Sequence, residues 1–201
     1  MEIVIASHNK DKIEEIKSIL AHPHISFSSL LDYPDCPPVI EDGKTYLENA
    51  LKKAKNACAF TGKVALADDS GLDIPALNNE PGLFSARYAG DKATYKENIN
   101  KVIEKLKGLQ KKSSRKAIFK CVIVLYYPDG AHHFTHGSCE GEIIFELRGL
   151  QGFGYDPIFY VPELKKTFAE LSKMEKNKIS HRSIALNKMK KNIALPPGLS
   201  Q

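Results

Sequence analysis

A chain of 201 residues with 42% hydrophobic and 26% charged side chains can bury a core, and its near-average composition excludes wholesale disorder. No apolar run approaches the roughly 20 residues of a membrane span, and Ile3-Val4-Ile5 follows no cationic leader, so a soluble cytoplasmic protein is expected. The net charge of +5 favours anionic partners, but the lysines are spread along helices with few aromatics among them, which argues against a nucleic-acid platform.

Taken in order, Ile3 to Ala6 is apolar and β-branched, as in a strand buried on both faces. Ile13, Ile16, Ile19 and Leu20 recur at helical spacing, which makes Ser7 to Lys12 ("SHNKDK") a strand-to-helix turn, with His22-Pro23 ending the helix. "DYPDCPP" (32–38) is a Pro-rich loop. Thr45 and Glu48 then write a capping box for a helix whose stripe is Leu47, Ala50, Leu51, Ala54, Ala57 and Cys58.

Val64 to Ala67 reads as a short strand running into Asp68-Asp69. A helix over 94–109 carries Ile99, Val102, Ile103 and Leu106, with Gly108 near its stop, and "QKKSSR" (110–115) is a connector. Ala117 to Tyr127 is the strongest strand signal, and Pro128-Asp129-Gly130 turns it back into a second strand. Gly141 then leads to a third, Glu142 to Leu147. The tail from Ser180 to Ile193 is helical, with Ile184, Met189 and Ile193 partly aligned, and Pro196-Pro197-Gly198 stops it. Alternating strands and helices followed by a hairpin region predict a mixed α/β sheet.

Several stretches have residue types suited to chemistry. The turn Ser7-His8-Asn9-Lys10-Asp11-Lys12 places helix N–H groups, the positive dipole end and lysines where a phosphate is favoured, although Ser7 or Asn9 also fits a plain helix cap. At Asp68-Asp69, alternation along a strand lets one side chain enter a cleft while the other braces the loop. Gly71 then permits a tight turn, and an Asx-type turn is the simpler alternative. Glu41 supplies a further acid and Lys53 a cation on the capped helix.

"GLQGFGYDPIF" (149–159) offers Phe153 on a glycine-rich loop, either as a ring for a base to stack on or as a core residue beside a β-turn. Lys176, Ser180, His181 and Arg182 mark the start of the last helix. A cation in that first turn is disfavoured by the dipole, so Arg182 should gain an acceptor elsewhere, such as one on a ligand. His132, His133 and His136 do not read as a metal site, because His132 and His136 on one strand face lie about 13 Å apart by the strand rise. The cysteines, Cys36, Cys58, Cys121 and Cys139, have no C-x-x-C or zinc spacing and read as reduced thiols.

In this order, "IASHNKDK", "EDGKTYLENALKKA", "ADDSGL", "PGLFSARYAG", "GFGYDPIF" and "EKNKISHR" give the chain, from Ile3 to about Leu186, a resemblance to the inosine triphosphate pyrophosphatase family, in particular its bacterial dITP/XTP branch. The resemblance implies Mg²⁺-dependent hydrolysis of ITP, dITP and XTP to the monophosphate and pyrophosphate. It implies a single domain over 1–201 with an elongated, twisted mixed sheet, two lobes and a site in the cleft between them, usually in a homodimer. By matching positions, Asp69 binds magnesium and activates water, Glu41 is a second magnesium ligand, and Ser7, His8, Asn9, Lys10, Asp11, Lys12, Lys53 and Ser70 hold the triphosphate. Phe153, Gly154, Tyr155, Asp156, Lys176, His181 and Arg182 form the nucleoside pocket.

Ser7 stands where the family commonly has Thr, and Asp11 where it often has Gly, so Asp11 is expected to face outward. A Maf-like pyrophosphatase acting on pyrimidine or modified nucleotides and a non-catalytic nucleotide- or nucleic-acid-binding module are the rival readings.

Overall fold

β1 (Glu2–Ile5) forms where the sequence is β-branched and apolar, and its Ile3, Val4 and Ile5 are fully buried. These observations come from a computed structural model that describes residues 1–107 and 115–193. The helix end at Gly108, the connector up to Ser114 and Pro196-Pro197-Gly198 lie outside the described residues.

The chain forms two compact units. One comprises Met1–Asp69, Cys121–Gly137 and the chain from Arg182 onward; the other comprises Ser70–Lys120 and Ser138–His181. The strands make one sheet in the order β2 (Ser26–Ser29), β1, β3 (Val64–Ile74), β5 (Lys116–Tyr126), β6 (His132–Ile143), β7 (Phe159–Val161) and β8 (Lys166–Thr167), with β4 (Glu80–Pro81) paired to β3. Both β1–β2 and β1–β3 are parallel, whereas β6–β7 and β7–β8 are antiparallel, so the sheet is mixed as expected.

In the first unit, α1 (Lys10–Leu20) buries Ile13, Ile16, Ile19 and Leu20, the stripe read from the sequence. It returns the chain to β2 (Ser26–Ser29), whose polar "SFSS" gives no periodic signal and which the sequence reading lacks. α2 (Tyr46–Thr61) starts at Thr45, which accepts from Glu48 N at 3.1 Å, while Glu48 accepts from Lys44 N at 2.7 Å. Ile3, Ile5 and Leu66 pack with α1 and with Ala185, Leu186 and Met189 of α5 (His181–Met189). Val4, Ala65 and Ala67 pack with Ala50, Ala54, Ala57 and Cys58 of α2. Adjacent residues of β1 and β3 therefore face different helices.

β3 (Val64–Ile74) is the main departure from the sequence reading. The expected strand end at Asp68-Asp69 is mid-strand, and Gly71 is extended sheet rather than a turn. The two acids are accommodated within the strand because Lys12 and Arg182 face Asp68 and Lys53 faces Asp69.

In the second unit, α3 (Tyr95–Lys107) buries Ile99, Val102, Ile103 and Leu106 against Phe119, Phe159 and Phe168. β5 (Lys116–Tyr126) passes at Cys121 into the first unit, where it turns at Pro128-Asp129-Gly130 into β6 (His132–Ile143), and Ala131 N donates to Asp129 Oδ1 at 2.9 Å in that turn. The expected break at Gly141 is absent: β6 continues through it, and residues 145–147 are not strand. A Cβ at Gly141 would lie 2.6 Å from the Tyr160 carbonyl oxygen, so glycine there permits the approach of β7 (Phe159–Val161) rather than a chain reversal. Gly141→Ala is expected to cost about 1–3 kcal/mol, read as a lower urea midpoint, because backbone and the Phe159 ring must give way.

β4 (Glu80–Pro81) and β8 (Lys166–Thr167) are two-residue pairings. The helix expected from Ser180 is present as α5 and passes at Lys190–Asn192 into a 3-10 turn, while a further helix that the sequence reading lacks precedes it. α4 (Lys173–Ile179) is capped by Ser172 and ends at Ser180, and α5 follows with Ala185, Leu186 and Met189 fully buried and Ile184 only half-buried. No described helix is long and apolar enough to cross a membrane.

Candidate active site

Two neighbouring aspartates on one strand must point to opposite faces, and that alternation organises the first unit. Asp69 shares the face of Ala65 and Ala67 and meets α2, where Lys53 Nζ lies 2.8 Å from its Oδ1 and Asn49 Nδ2 lies 3.5 Å from its Oδ2. Asp68 shares the face of Leu66 and meets α1 and α5. Lys12 Nζ is 2.9 Å from its Oδ1, and Arg182 Nε and Nη2 both lie 3.0 Å from its Oδ2.

The same Lys53 ammonium is 3.0 Å from Glu41 Oε2. Two carboxylates distant in sequence thus converge on a single positive charge. Asn49, fully buried, links them further, since its Oδ1 accepts from Gly43 N in the Glu41 loop at 2.8 Å. Sequence reading missed Asn49; a polar residue between Leu47 and Ala50 of the helix's apolar stripe was the available signal.

Burial pushes the Asp69 carboxyl up to about 6, with the nearby Glu41 carboxylate adding to it and Lys53 and Lys12 opposing. Glu41 moves the other way: burial would raise it, but Lys53 and Lys12 outweigh burial and hold it below the ordinary glutamate range. Asp68 is buried more deeply still, and Lys12, Arg182 and Lys53 together hold it well below the usual carboxylate range. The two aspartates therefore differ in character. Asp68 is a permanent anion, whereas Asp69 exchanges a proton near neutral pH.

The turn from Ser7 to Lys12 is shorter than expected, because α1 begins at Lys10. Asn9 is its N-cap, accepting from Lys12 N at 3.2 Å, and Ser7 Oγ accepts from Asn9 N at 3.1 Å. His8, Lys10 and Asp11 are exposed, so Asp11 faces outward as expected. Ser70, half-buried, follows Asp69 in β3.

In the second unit, Phe153 lies on the glycine loop, and its N–H donates to Asp156 Oδ2 at 2.9 Å. Gly152 has φ +73°, and a Cβ there would sit 2.0 Å from Asp156 Oδ2. Its lack of a side chain is used by the protein's own carboxylate, not by an approaching ligand. Lys176 Nζ is 2.6 Å from Asp156 Oδ2 and 4.9 Å from the Phe153 ring centroid. His181 is buried and stacks on Phe119 with centroids 4.6 Å apart. Tyr155 donates its hydroxyl to Ser85 O at 2.9 Å, and burial raises its phenol. Gly154 has φ +61° with open space where a Cβ would stand.

Arg182 does find acceptors, but they belong to the protein. Besides Asp68, its Nη1 lies 2.6 Å from Glu15 Oε2, and only 2% of the side chain is exposed. Glu15 stands off the apolar stripe of α1, and nothing in its local sequence marks it as this partner.

The Ham1 family pattern matches residues 3–192 of the chain. The chain belongs to the Ham1 family. Among similar proteins is the dITP/XTP pyrophosphatase of Desulforamulus reducens, 47% identical over 188 residues that make up 94% of this chain and 93% of that protein. The dITP/XTP pyrophosphatase of Coxiella burnetii is 49% identical over 191 residues, covering 94% of each. The solved structure of a HAM1 protein from Coxiella burnetii superposes with a TM-score of 0.87 at 48% identity, covering 96% of this chain and 98% of that one. The resemblance carried by the sequence blocks is thus borne out, and the mixed α/β fold is that of Ham1 proteins.

For a Ham1 chain, the blocks fall into two chemical groups. The acids and ammonium groups of "IASHNKDK", "EDGKTYLENALKKA" and "ADD" assemble in the first unit. The ring of Phe153 with Asp156, Lys176 and His181 assembles in the second.

Proposed function

We propose that this chain hydrolyses non-canonical purine nucleoside triphosphates, ITP, dITP and XTP, to the monophosphate and pyrophosphate, with Mg²⁺ as cofactor. The observation that carries this reading is the convergence of Glu41 and Asp69 on Lys53, within 3.0 and 2.8 Å. Hard carboxylate oxygens from two segments already drawn to one positive charge fit a magnesium ion, which takes one or two carboxylates and completes its shell with water and phosphate oxygens. The names of the related dITP/XTP pyrophosphatases support the substrate class.

When bound, magnesium would offset the polyanionic charge of the substrate and polarise its phosphates. The chain's own residues do the rest. Asp69, whose carboxyl is raised by burial, accepts the proton of the water that attacks the α-phosphorus. Lys12 and Lys53 stabilise the departing pyrophosphate, and the turn from Ser7 to Lys12, with Ser70, holds the triphosphate. Phe153 stacks on the base, and Gly154, Tyr155, Asp156, Lys176 and His181 shape its pocket.

Lys176 supplies donors suited to a 6-oxo acceptor, which the 6-amino group of adenine does not satisfy. Arg182 acts from behind, holding Asp68. The reading includes a homodimer acting in the cytoplasm on a small-molecule substrate, without a nucleic-acid or membrane partner. Pyrophosphate release from ITP, dITP, XTP, GTP and ATP, with and without magnesium, tests it. Turnover of ITP, dITP and XTP should exceed that of ATP by at least about 100-fold, the scale of a mismatched buried polar group. Equal turnover of all, or turnover indifferent to chelation, would overturn it.

A further inference from the structure

Glu15 lies on α1 one turn beyond Lys12 and takes no part in the reaction as read above. Its Oε2 is 2.6 Å from Arg182 Nη1, Arg182 Nε and Nη2 hold Asp68 Oδ2 at 3.0 Å, and Asp68 Oδ1 holds Lys12 Nζ at 2.9 Å. One helical turn of α1 closes the ring from Glu15 back to Lys12, so two anions and two cations alternate around it.

The ring opens in one direction only. Side-chain exposure is 2% for Arg182, 1% for Asp68 and 9% for Glu15, but 20% for Lys12. Buried ionic groups contribute little net stability by themselves, and in some proteins they serve to fix a geometry. Here the group whose position they fix is the ammonium of Lys12. Both Asp68 oxygens are needed, one for each cation. Without the negative charge of Glu15 opposite Nη1, the guanidinium is drawn only toward Asp68, and it can pivot about Asp68 Oδ2 and draw the carboxylate off Lys12.

We propose that Glu15 is a positioning residue for the triphosphate: through Arg182 and Asp68 it fixes Lys12 in the orientation that grips phosphate. The proposal rests on the reading of Lys12 as a phosphate holder.

The test is calorimetric titration of inorganic pyrophosphate in magnesium buffer, with steady-state kinetics on ITP, for Glu15→Gln, Lys12→Met and the double variant. Glu15→Gln and Lys12→Met are each expected to weaken pyrophosphate binding and raise KM about tenfold, the scale of one charge-assisted hydrogen bond. For Glu15→Gln, kcat stays within about twofold, and the double variant binds no more weakly than Lys12→Met alone. Glu15→Asp, which keeps the charge and shortens its reach, guards against a folding failure and should weaken binding in the same direction. Unchanged pyrophosphate affinity in Glu15→Gln beside a weakened Lys12→Met, or additive losses in the double variant, overturns the relay. Unchanged affinity in Lys12→Met removes the phosphate reading of the turn, and the proposal with it.

Discussion

Asp69→Asn is expected to abolish pyrophosphate release, by at least about 1,000-fold, and at the same time to raise the melting temperature of the chelated protein at pH 7.5. Activity is lost because the amide can neither accept the proton of attacking water nor offer an anionic oxygen to a divalent ion. The gain in stability follows from linkage. The Asp69 carboxyl titrates at about 6 in the folded protein against 3.8 for an ordinary aspartate. The folded state thus holds this proton more tightly than the unfolded chain.

Stability from protonated Asp69 is fully present below about pH 3.8 and is lost as pH rises through about 6. At pH 7.5 the ionised side chain costs the fold about 1–3 kcal/mol, and asparagine removes that cost while Glu41, 3.0 Å away, still pairs with the Lys53 ammonium. Below pH 4 the aspartate is itself neutral, so the advantage of Asn should vanish. Melting curves of both proteins at pH 7.5 and pH 4 check this. A variant no more stable than the parent at pH 7.5, or one retaining near-normal turnover, would remove Asp69 from the role assigned to it.

Arg182→Met is the second substitution with a large expected effect, in the opposite direction. It leaves Asp68 and Glu15 buried without the guanidinium that faces both, while Lys12 still pairs with Asp68. Breaking one side of a buried ionic network costs about 3–5 kcal/mol, because the surviving charges keep their desolvation penalty. On a chain of this size the loss corresponds to a drop of roughly 10 °C in apparent melting temperature.

The pH dependence gives the mechanism a separate check. With Arg182 in place, Asp68 is held well below the usual carboxylate range, so its contribution is present above the ordinary aspartate value and is lost only in strong acid. Without Arg182 the buried Asp68 carboxylate can neutralise by taking a proton, and the deficit relative to the parent should shrink between pH 7 and pH 4.5. A deficit independent of pH would point to lost packing rather than uncompensated charge.

Much of this molecule is legible in its sequence wherever one periodicity decides the matter. Ile13, Ile16, Ile19 and Leu20 write α1, and Ile99, Val102, Ile103 and Leu106 write α3, because a stripe every third or fourth residue has a single low-energy use. Thr45 announces α2 for the equally local reason that its hydroxyl satisfies a first-turn N–H. β2 was not legible, since "SFSS" is held by parallel pairing with β1 and not by its own pattern. β6 was misread at Gly141 because the need for a small residue there comes from Tyr160 and Phe159, distant in sequence.

The chemical groups divide along the same line. By itself the sequence determined that two acids stand adjacent at 68 and 69, that lysines flank a strand-to-helix turn, and that a phenylalanine rides a glycine-rich loop, since each is a matter of residue type and short spacing. Only the tertiary structure decided which acid is which. A two-residue strand period sends Asp69 to Lys53 and Glu41 on α2 and Asp68 to Lys12 and Arg182 on α1 and α5, and charges brought together by folding, not by chain order, set one proton near neutrality and strip the other away.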